Sequence, residues 1–285
     1  MKDVSILIVH FNTPGLLRQT IKGIQNATHV STCEILVVDN NPEIRVHEML
    51  RTEFPEVRVI VSETNLGFGR GMNRALELAR GRYFFVFNPD IATFDHQIDT
   101  LVRFMDAHAD VGMVGPKLLN PDRSLQYSCY TFMDLWVIPF RRVPILRSFS
   151  FAKRHVEAYL MTSHDHSKTC DVDYLLGAAM LVRREAYQEV GGFDPAFFVY
   201  FEDQDWCRRF WKANWRVVHH PEAWFVHYHR RETAEGGFIK QLRNPLTRIQ
   251  IQSALYYHRK YKGQPNPRTC ARLNISSDRR TQTSS

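Results

Sequence analysis

No pair of cysteines in this chain has the C-x-x-C spacing. The five cysteines, Cys33, Cys129, Cys170, Cys207 and Cys270, are scattered and odd in number. That excludes a clustered structural zinc site and points to reduced thiols, as in the cytosol. Also missing is an apolar run approaching the roughly 20 residues that a bilayer-spanning helix needs. The opening stretch, MKDVSILIVHFNT, is too short in its apolar part, and too interrupted by Asp3 and His10, to read as a signal peptide. The expectation is a soluble or membrane-peripheral protein. A dinucleotide fingerprint is absent as well. Gly67, Gly69 and Gly71 in NLGFGRGMN miss the G-x-G-x-x-G spacing, and no acid follows on a strand at the expected distance, which rules out NAD binding. No internal repeat is found.

What is present is a chain of 285 residues, 44% hydrophobic and 12% aromatic, enough for one large packed domain or two small ones. The net charge of +7 suits a polyanion, an anionic membrane surface or a phosphorylated ligand without choosing among them. Over the first hundred residues strand patterns alternate with helical ones. VSILIVHF, CEILVVDNN, VRVIVSE and RYFFVFNPDI read as strands; TPGLLRQTIKGIQNA, IRVHEMLRTEF and FGRGMNRALELAR read as helices, the first with Thr13 as cap and Pro14 at the first helical position. Such alternation implies β-α-β crossovers and a largely parallel sheet. In open sheets of this kind ligands bind beyond the carboxyl ends of the strands. Those ends read His10-Phe11-Asn12, Asp39-Asn40-Asn41, Asn65-Leu66-Gly67 and Asn88-Pro89-Asp90. One such ending is ordinarily a turn; four on one edge point to a nucleotide crevice.

Further along, DHQIDTLVRFMDAH reads as a helix and VGMVGPKLL as a strand. DLWVIPFRRVPILRSFSFAKRH mixes aromatics with five Lys or Arg residues, a composition that fits a lid, an acceptor cover or a membrane face. WRVVHHPEAWFVHYH reads as two strand-like pieces around His219-His220-Pro221. FIKQLRNPLTRIQIQSALYYHRKYKG reads as a basic helical stretch interrupted near Pro245, and from Gly263 onward the polar composition predicts disorder. The expected organisation is a catalytic domain over 1–235, a basic helical extension over 236–262 and a disordered tail over 263–285. Lysines and arginines are otherwise dispersed and no nucleic-acid-reading motif occurs, so no nucleic acid is expected as a partner.

GGFDPAFFVYFEDQDWCRRFW, residues 191 to 211, places Glu202, Asp203 and Asp205 directly after an aromatic run. Carboxylates beside so much apolar surface are costly unless paired or used. Acids in the first turn of a helix with bases behind them would already complement the helix dipole. The preceding Phe197, Phe198, Tyr200 and Phe201 add the expectation of carboxylates projecting into an aromatic-walled pocket.

Taken in order, NLGFGRGMN, FVFNPD, LLGAAMLVRREAYQEVGGFDPAFFVYFEDQDWCRR and HPEAWFVHYH resemble the inverting family 2 glycosyltransferases of the GT-A fold. The likeness spans roughly residues 3 to 262 and is nearest to the bacterial rhamnosyltransferase-like branch that builds O-antigen, capsule and other surface polysaccharides. It implies an α/β fold with a mostly parallel central sheet flanked by helices. It also implies a nucleotide-diphosphate sugar donor, foremost dTDP-L-rhamnose, with a UDP-sugar such as UDP-galactofuranose as the alternative. The acceptor would be a hydroxyl of a glycan or of a polyprenyl-diphosphate-linked glycan, which implies work at the cytoplasmic face of the membrane. A non-catalytic relative binding nucleotide or glycan is the other class, disfavoured by the intact Glu202-Asp203 pair.

The resemblance assigns Asp203 as general base, with Glu202 and Asp205 in support and Arg208 as a partner for Asp205. Hard oxygen ligands suit Mg2+ or Mn2+ at the diphosphate. Where the family usually has D-x-D this chain has Asn88-Pro89-Asp90, so one acid is missing and Asp90 is the implied ligand. His227 matches the family's late metal-approaching histidine. Without the resemblance, His227 and His229 share one strand face and read as hydrogen-bonded surface histidines ahead of a zinc pair. Asp39 matches the acid that contacts the nucleobase or ribose, the backbone from Val9 through Phe11 to Asn12 would cradle the base, and Asn65, Gly67 and Asn73 look like the donor-side loop.

Overall fold

The structure is a computed structural model that describes residues 2–41, 43–228 and 244–269. Its centre is a mixed sheet. Strand β1 (Val4–His10) is buried along its whole length and pairs in parallel with β2 (Cys33–Asp39) on one side and β4 (Tyr83–Phe87) on the other. Strand β3 (Arg58–Val61) continues the sheet beyond β2. The register sets His10 opposite Asp39, so the ends of β1 and β2 lie side by side. Between them run α1 (Pro14–Asn26), α2 (Val46–Glu53) and α3 (Phe68–Leu78). Pro14 opens α1 as its fixed φ favours, whereas the Thr13 side chain makes no cap hydrogen bond.

After β4 come β5 (Ile91–Ala92), α4 (Gln97–Ala107) and β6 (Val111–Leu119), then the short strands β7 (Leu125–Gln126) and β8 (Cys129–Tyr130). Helices α5 (Val137–Arg142), α6 (Pro144–Arg147) and α7 (Ser150–Tyr159) fill the stretch that was least legible in the sequence. Strands β9 (Cys170–Asp171), β10 (Tyr174–Leu175) and β11 (Ala179–Arg183), helices α8 (Arg184–Val190) and α9 (Glu202–Lys212), strand β12 (Arg216–His227) and helix α10 (Pro245–Lys260) complete the described chain.

The main path of the sheet is β3-β2-β1-β4-β11-β6-β12-β5. Strand β11 lies antiparallel between β4 and β6, while β6 and β12 are parallel to each other. The sheet is therefore largely parallel with β11 and the edge strand β5 reversed, pairings between distant segments that local pattern does not encode. RVVHHPEAWFVH is one strand rather than two, with register shifts between Arg216 and Val217 and between His220 and Trp224, where Pro221 removes a donor. Pro245 starts α10 rather than interrupting it, with Asn244 Oδ1 accepting from Leu246 N–H at 2.9 Å. Residues 238–243 of that stretch lie outside the described residues.

Alternate residues of β1 enter opposite cores. Ile6 and Ile8 pack with Leu17, Ile21, Ile98 and Met105 of α1 and α4, while Leu7 and Val9 pack with Met72, Ala75, Trp206 and Phe210 of α3 and α9. A third, smaller core joins Phe197 and Phe201 to Ala254, Tyr257 and Tyr261. The aromatic run before α9 thus forms the seat of α10, where the sequence reading expected the walls of an open pocket; Phe198 alone of the four is exposed. Residues 264–268, within the expected disordered tail, are held in place: Arg208 donates to the Gln264 and Pro265 carbonyls, and Asn266 Nδ2 donates to Asp173 at 2.9 Å.

Candidate active site

The ends of β1, β2 and β4 meet on one edge, as the sequence predicts. His10 is buried, and its Nε2 accepts from Thr13 N–H at 3.1 Å, leaving Nδ1 facing Asp39 at 3.8 Å. Burial lowers the His10 pKa more than the neighbouring Asp39 raises it, so the imidazole is neutral. Asp39 is fully buried, and its Oδ2 accepts from the backbone and ring N–H of His47 at 3.1 and 2.7 Å. Its other oxygen, Oδ1, has no hydrogen-bond partner. Phe11 and Asn12 are exposed; Asn12, at φ 60°, accepts from Asn41. Val9 is packed in the core, so only its backbone could face a ligand.

Asn40, to which the sequence gives no individual role, organises the donor-side loop. Its amide donates to Asn65 Oδ1 and to the Gly67 carbonyl, each at 3.1 Å, and its oxygen accepts from Leu66 N–H at 2.9 Å. Gly67 has φ 78°, and a Cβ there would lie 2.2 Å from the Phe198 carbonyl oxygen, so only glycine fits. Asn73 faces the other way. It donates to the Phe193 carbonyl and accepts from Phe193 N–H, both at 2.8 Å, clamping the Gly192-Phe193 turn. Its amide serves the frame.

Beyond β4, Asn88 and Asp90 are half-buried. Asp90 Oδ1 lies 3.2 Å from Nε2 of the buried His227, and it is enclosed without a hydrogen-bond donor. Gln126 fixes the ring: its amide donates to Asn120 Oδ1 at 3.2 Å, so its oxygen receives the His227 Nδ1 proton at 2.7 Å. An imidazole nitrogen and a carboxylate oxygen held this close offer two donors of the kind a divalent cation takes. Among the described residues no group of three or more His, Cys, Asp or Glu is arranged to hold a metal. Asp90 and His227 therefore fit a hard cation only as two ligands, with substrate oxygens and water supplying the rest, the usual state of affairs for Mg2+. His229 lies outside the described residues.

Helix α9 brings the acids. Tyr200 and Phe201 both adopt φ 70°, a left-handed turn that is costly for bulky residues and tends to occur at functional sites. It delivers Glu202 and Asp203 at the helix start. Asp203 Oδ2 accepts from Gly177 N–H at 3.0 Å and Oδ1 from Gln204 N–H at 2.7 Å, while the residue keeps some solvent exposure. Desolvation raises its pKa against those two backbone donors. Glu202 is buried, with Oε2 unpartnered; desolvation and then the charge of Asp203 push its pKa up strongly, so the pair holds a proton on Glu202. Gly177 also ties the acids to the strand edge, because the next residue, Ala178, accepts from Asn88 N–H at 2.9 Å. Through Gly177 and Ala178, Asp203 is thus linked to Asn88, two residues before Asp90.

Asp205 points elsewhere. It is fully buried and accepts from Lys260 at 2.6 Å, Tyr261 at 2.7 Å and Arg209 at 2.9 Å. Its ion-pair partner on α9 is Arg209, one turn on, and the expected partner Arg208 instead holds residues 264 and 265. A cavity of about 460 Å³ bounded by Arg103, Phe104 and His220 includes none of the strand-end or α9 residues described above.

Residues 5–191 match glycosyl transferase family 2. The chain belongs to that family. It is 29% identical over 245 residues to an N-acetylglucosaminyl-diphospho-decaprenol L-rhamnosyltransferase of Mycobacterium tuberculosis, covering 82% of this chain and 78% of the relative. It is 27% identical over 171 residues to the rhamnosyltransferase WbbL of Escherichia coli, covering 57% and 61%. Among solved structures it resembles GalNAc-T7 with UDP, GalNAc and Mn2+, at TM-score 0.66 and 15% identity over 93% of this chain and 49% of that one. A mannosyltransferase of Pyrobaculum calidifontis in complex with GDP-Man and Mn2+ gives TM-score 0.53 and 15% identity, covering 97% and 76%. The fold is that of GT-A glycosyltransferases, and the protein is a family 2 glycosyltransferase.

Proposed function

We propose that the enzyme transfers one sugar, with inversion, from a nucleotide-diphosphate donor to a hydroxyl of a glycan or polyprenyl-diphosphate-linked glycan. L-Rhamnose from dTDP-rhamnose is the first reading, supported by the named activities of the M. tuberculosis and E. coli relatives. A UDP-hexose or UDP-galactofuranose donor on the same scaffold is the second. The observation that carries the enzymatic reading is the setting of Asp203: a carboxylate of raised pKa, aimed by Gly177 N–H and hydrogen-bonded through Ala178 to the strand end that bears Asp90.

In the reaction, Asp203 takes the proton of the acceptor hydroxyl as its oxygen attacks the anomeric carbon. The carbon–oxygen bond to the diphosphate breaks on the opposite face, and the nucleotide diphosphate leaves with the bonding pair. One displacement inverts the centre and needs no second nucleophile. A divalent cation bound by Asp90 and His227 would neutralise charge developing on the diphosphate. Glu202, holding the pair's proton, leaves Asp203 as the ionised member. The β1–β2 edge, with Asp39, Phe11, Asn12 and the Asn65–Gly67 loop, offers the surface for base, ribose and donor sugar.

Asp203→Asn tests this reading. Turnover with a panel of nucleotide sugars should fall about 10²- to 10⁴-fold while donor affinity changes only a few-fold. Retention of more than about a tenth of wild-type turnover would assign the base to another group.

A further inference from the structure

Helices α5, α6 and α7 form a surface segment rooted beside the acids. Thr131 N–H donates to the Tyr159 carbonyl at 3.1 Å, closing the segment, and Met133 N–H donates to Gln204, the residue after Asp203, at 2.8 Å. Its outer side exposes several large apolar side chains. Trp136, Ile145 and Phe151 are 63%, 69% and 54% exposed, with Leu135 and Phe149 also open to solvent. Trp136 and Phe151 both lie against the buried Phe140 ring, at 5.8 and 5.5 Å, and Phe151 lies 5.6 Å from Phe149. Scattered exposed apolar residues need no explanation, whereas a cluster of this kind does.

The charge around the patch is mostly positive, its two acids being Asp134, 2.8 Å from His155, and Glu157 on α7, 4.0 Å from Lys153. Between residues 135 and 156 the chain carries Arg141, Arg142, Arg147, Lys153 and Arg154 and no acid. Arg142 turns inward to Thr247 and Gln250 on α10; Arg141, Arg147, Lys153 and Arg154 are exposed. The other basic aromatic stretch, Tyr256 to Lys262, is differently disposed. Tyr257 and Tyr261 are buried, and Lys260 is bound to Asp194 and Asp205.

We propose that α5–α7 is an interfacial anchor that seats Trp136, Ile145, Phe149 and Phe151 among the headgroups of an anionic lipid bilayer. Apolar and aromatic side chains flanked mainly by cations match that surface on both counts: the rings enter the headgroup layer and the cations meet lipid phosphates. A protein partner would have to be acidic and apolar over the same area, and nothing in the molecule supplies such a segment among the described residues. With its root beside Gln204, the anchor would hold Asp203 near the bilayer surface. This inference goes beyond the transferase reading and does not depend on the donor or acceptor.

The test is co-sedimentation of the full chain with vesicles of phosphatidylcholine alone or with about a third phosphatidylglycerol. Wild type should sediment with the anionic vesicles only, and near 1 M salt, where the screening length is about 3 Å, it should be released. Trp136→Ser/Phe149→Ser/Phe151→Ser should bind the anionic vesicles at least about tenfold more weakly. Arg147→Glu/Lys153→Glu/Arg154→Glu should lose more than about a hundredfold, since each surface cation contributes roughly fivefold. Unchanged melting temperatures would exclude unfolding, and if the aromatic variant melts early the charge variant decides. Wild type remaining in the supernatant with both vesicles at low salt overturns the proposal and assigns the patch to a protein. Wild-type binding by a folded triple variant of either kind overturns it equally.

Discussion

At the scale of single residues the site is a division of protons and of faces. Glu202 and Asp203 are adjacent in sequence yet differ in setting: Glu202 is buried with an unpartnered oxygen, whereas Asp203 receives two backbone N–H groups. Because the folded pKa of Glu202 lies above its unfolded value, the folded state keeps a proton that the unfolded chain releases. Stability should therefore fall as pH rises above about 4.3, the unfolded value, toward the raised folded one. Glu202→Gln mimics the neutral acid. Its thermal melts should lose much of the pH slope between about pH 5 and 8, while turnover at neutral pH stays within about tenfold of wild type; an unchanged slope would show that Glu202 ionises normally. Beyond β4, Asp90→Ala and His227→Ala should each weaken divalent-dependent donor binding, read by calorimetry with and without Mn2+. Full turnover in excess EDTA would remove the cation from the mechanism and leave basic side chains to stabilise the leaving group.

At the scale of elements, α9 does two jobs with one acidic turn. Its first two residues face the strand edge, and Asp205, in the following turn position, faces α10. The spacing E-D-x-D is the same in both readings, so sequence alone gave all three acids to one pocket. The helical rotation separates them, and only the packing of α10 shows where the third points. Burial would lower the Lys260 pKa, but its bonds to Asp194 and Asp205 outweigh it, so a buried ion network locks α10 onto α9. Asp205→Ala removes one carboxylate from Lys260 and Arg209, which keep Asp194 and two backbone carbonyls, and should cost about 1.5–3 kcal/mol of stability in urea denaturation. Specific activity of the fraction that remains folded should fall far less than in Asp203→Asn. An activity loss equal to that of Asp203→Asn in fully folded protein would return Asp205 to the catalytic group.

At the scale of the whole molecule, α10 and residues 264–268 close the domain on the catalytic helix. Removal of the chain from residue 244 onward would expose Phe197 and Phe201 and uncover the charge of Asp205. Burial of each large apolar side chain contributes about 1.5–3 kcal/mol, so this truncation should melt well below the full chain and bind an apolar dye before the main transition.

The sequence by itself determined the local elements and the identity of the strand edge. Period-two and helical patterns are short-range consequences of side-chain geometry, and Asp, Asn and Gly at strand ends are required by the turns they make. It also determined the family, because the motifs of residues 65–73, 85–90, 175–209 and 220–229 occur together and in order. The tertiary structure decided what depends on distant partners. The reversed strand β11 is set by pairing with β4 and β6, the ring orientation of His227 by Gln126 about a hundred residues away, and the aim of Asp203 by Gly177. Asn73 and the aromatic run before α9 looked like ligand contacts by residue type, but the chain brings Phe193 and α10 against them first. Residue type fixes which bonds a side chain can make; only the fold fixes which partner arrives to make them.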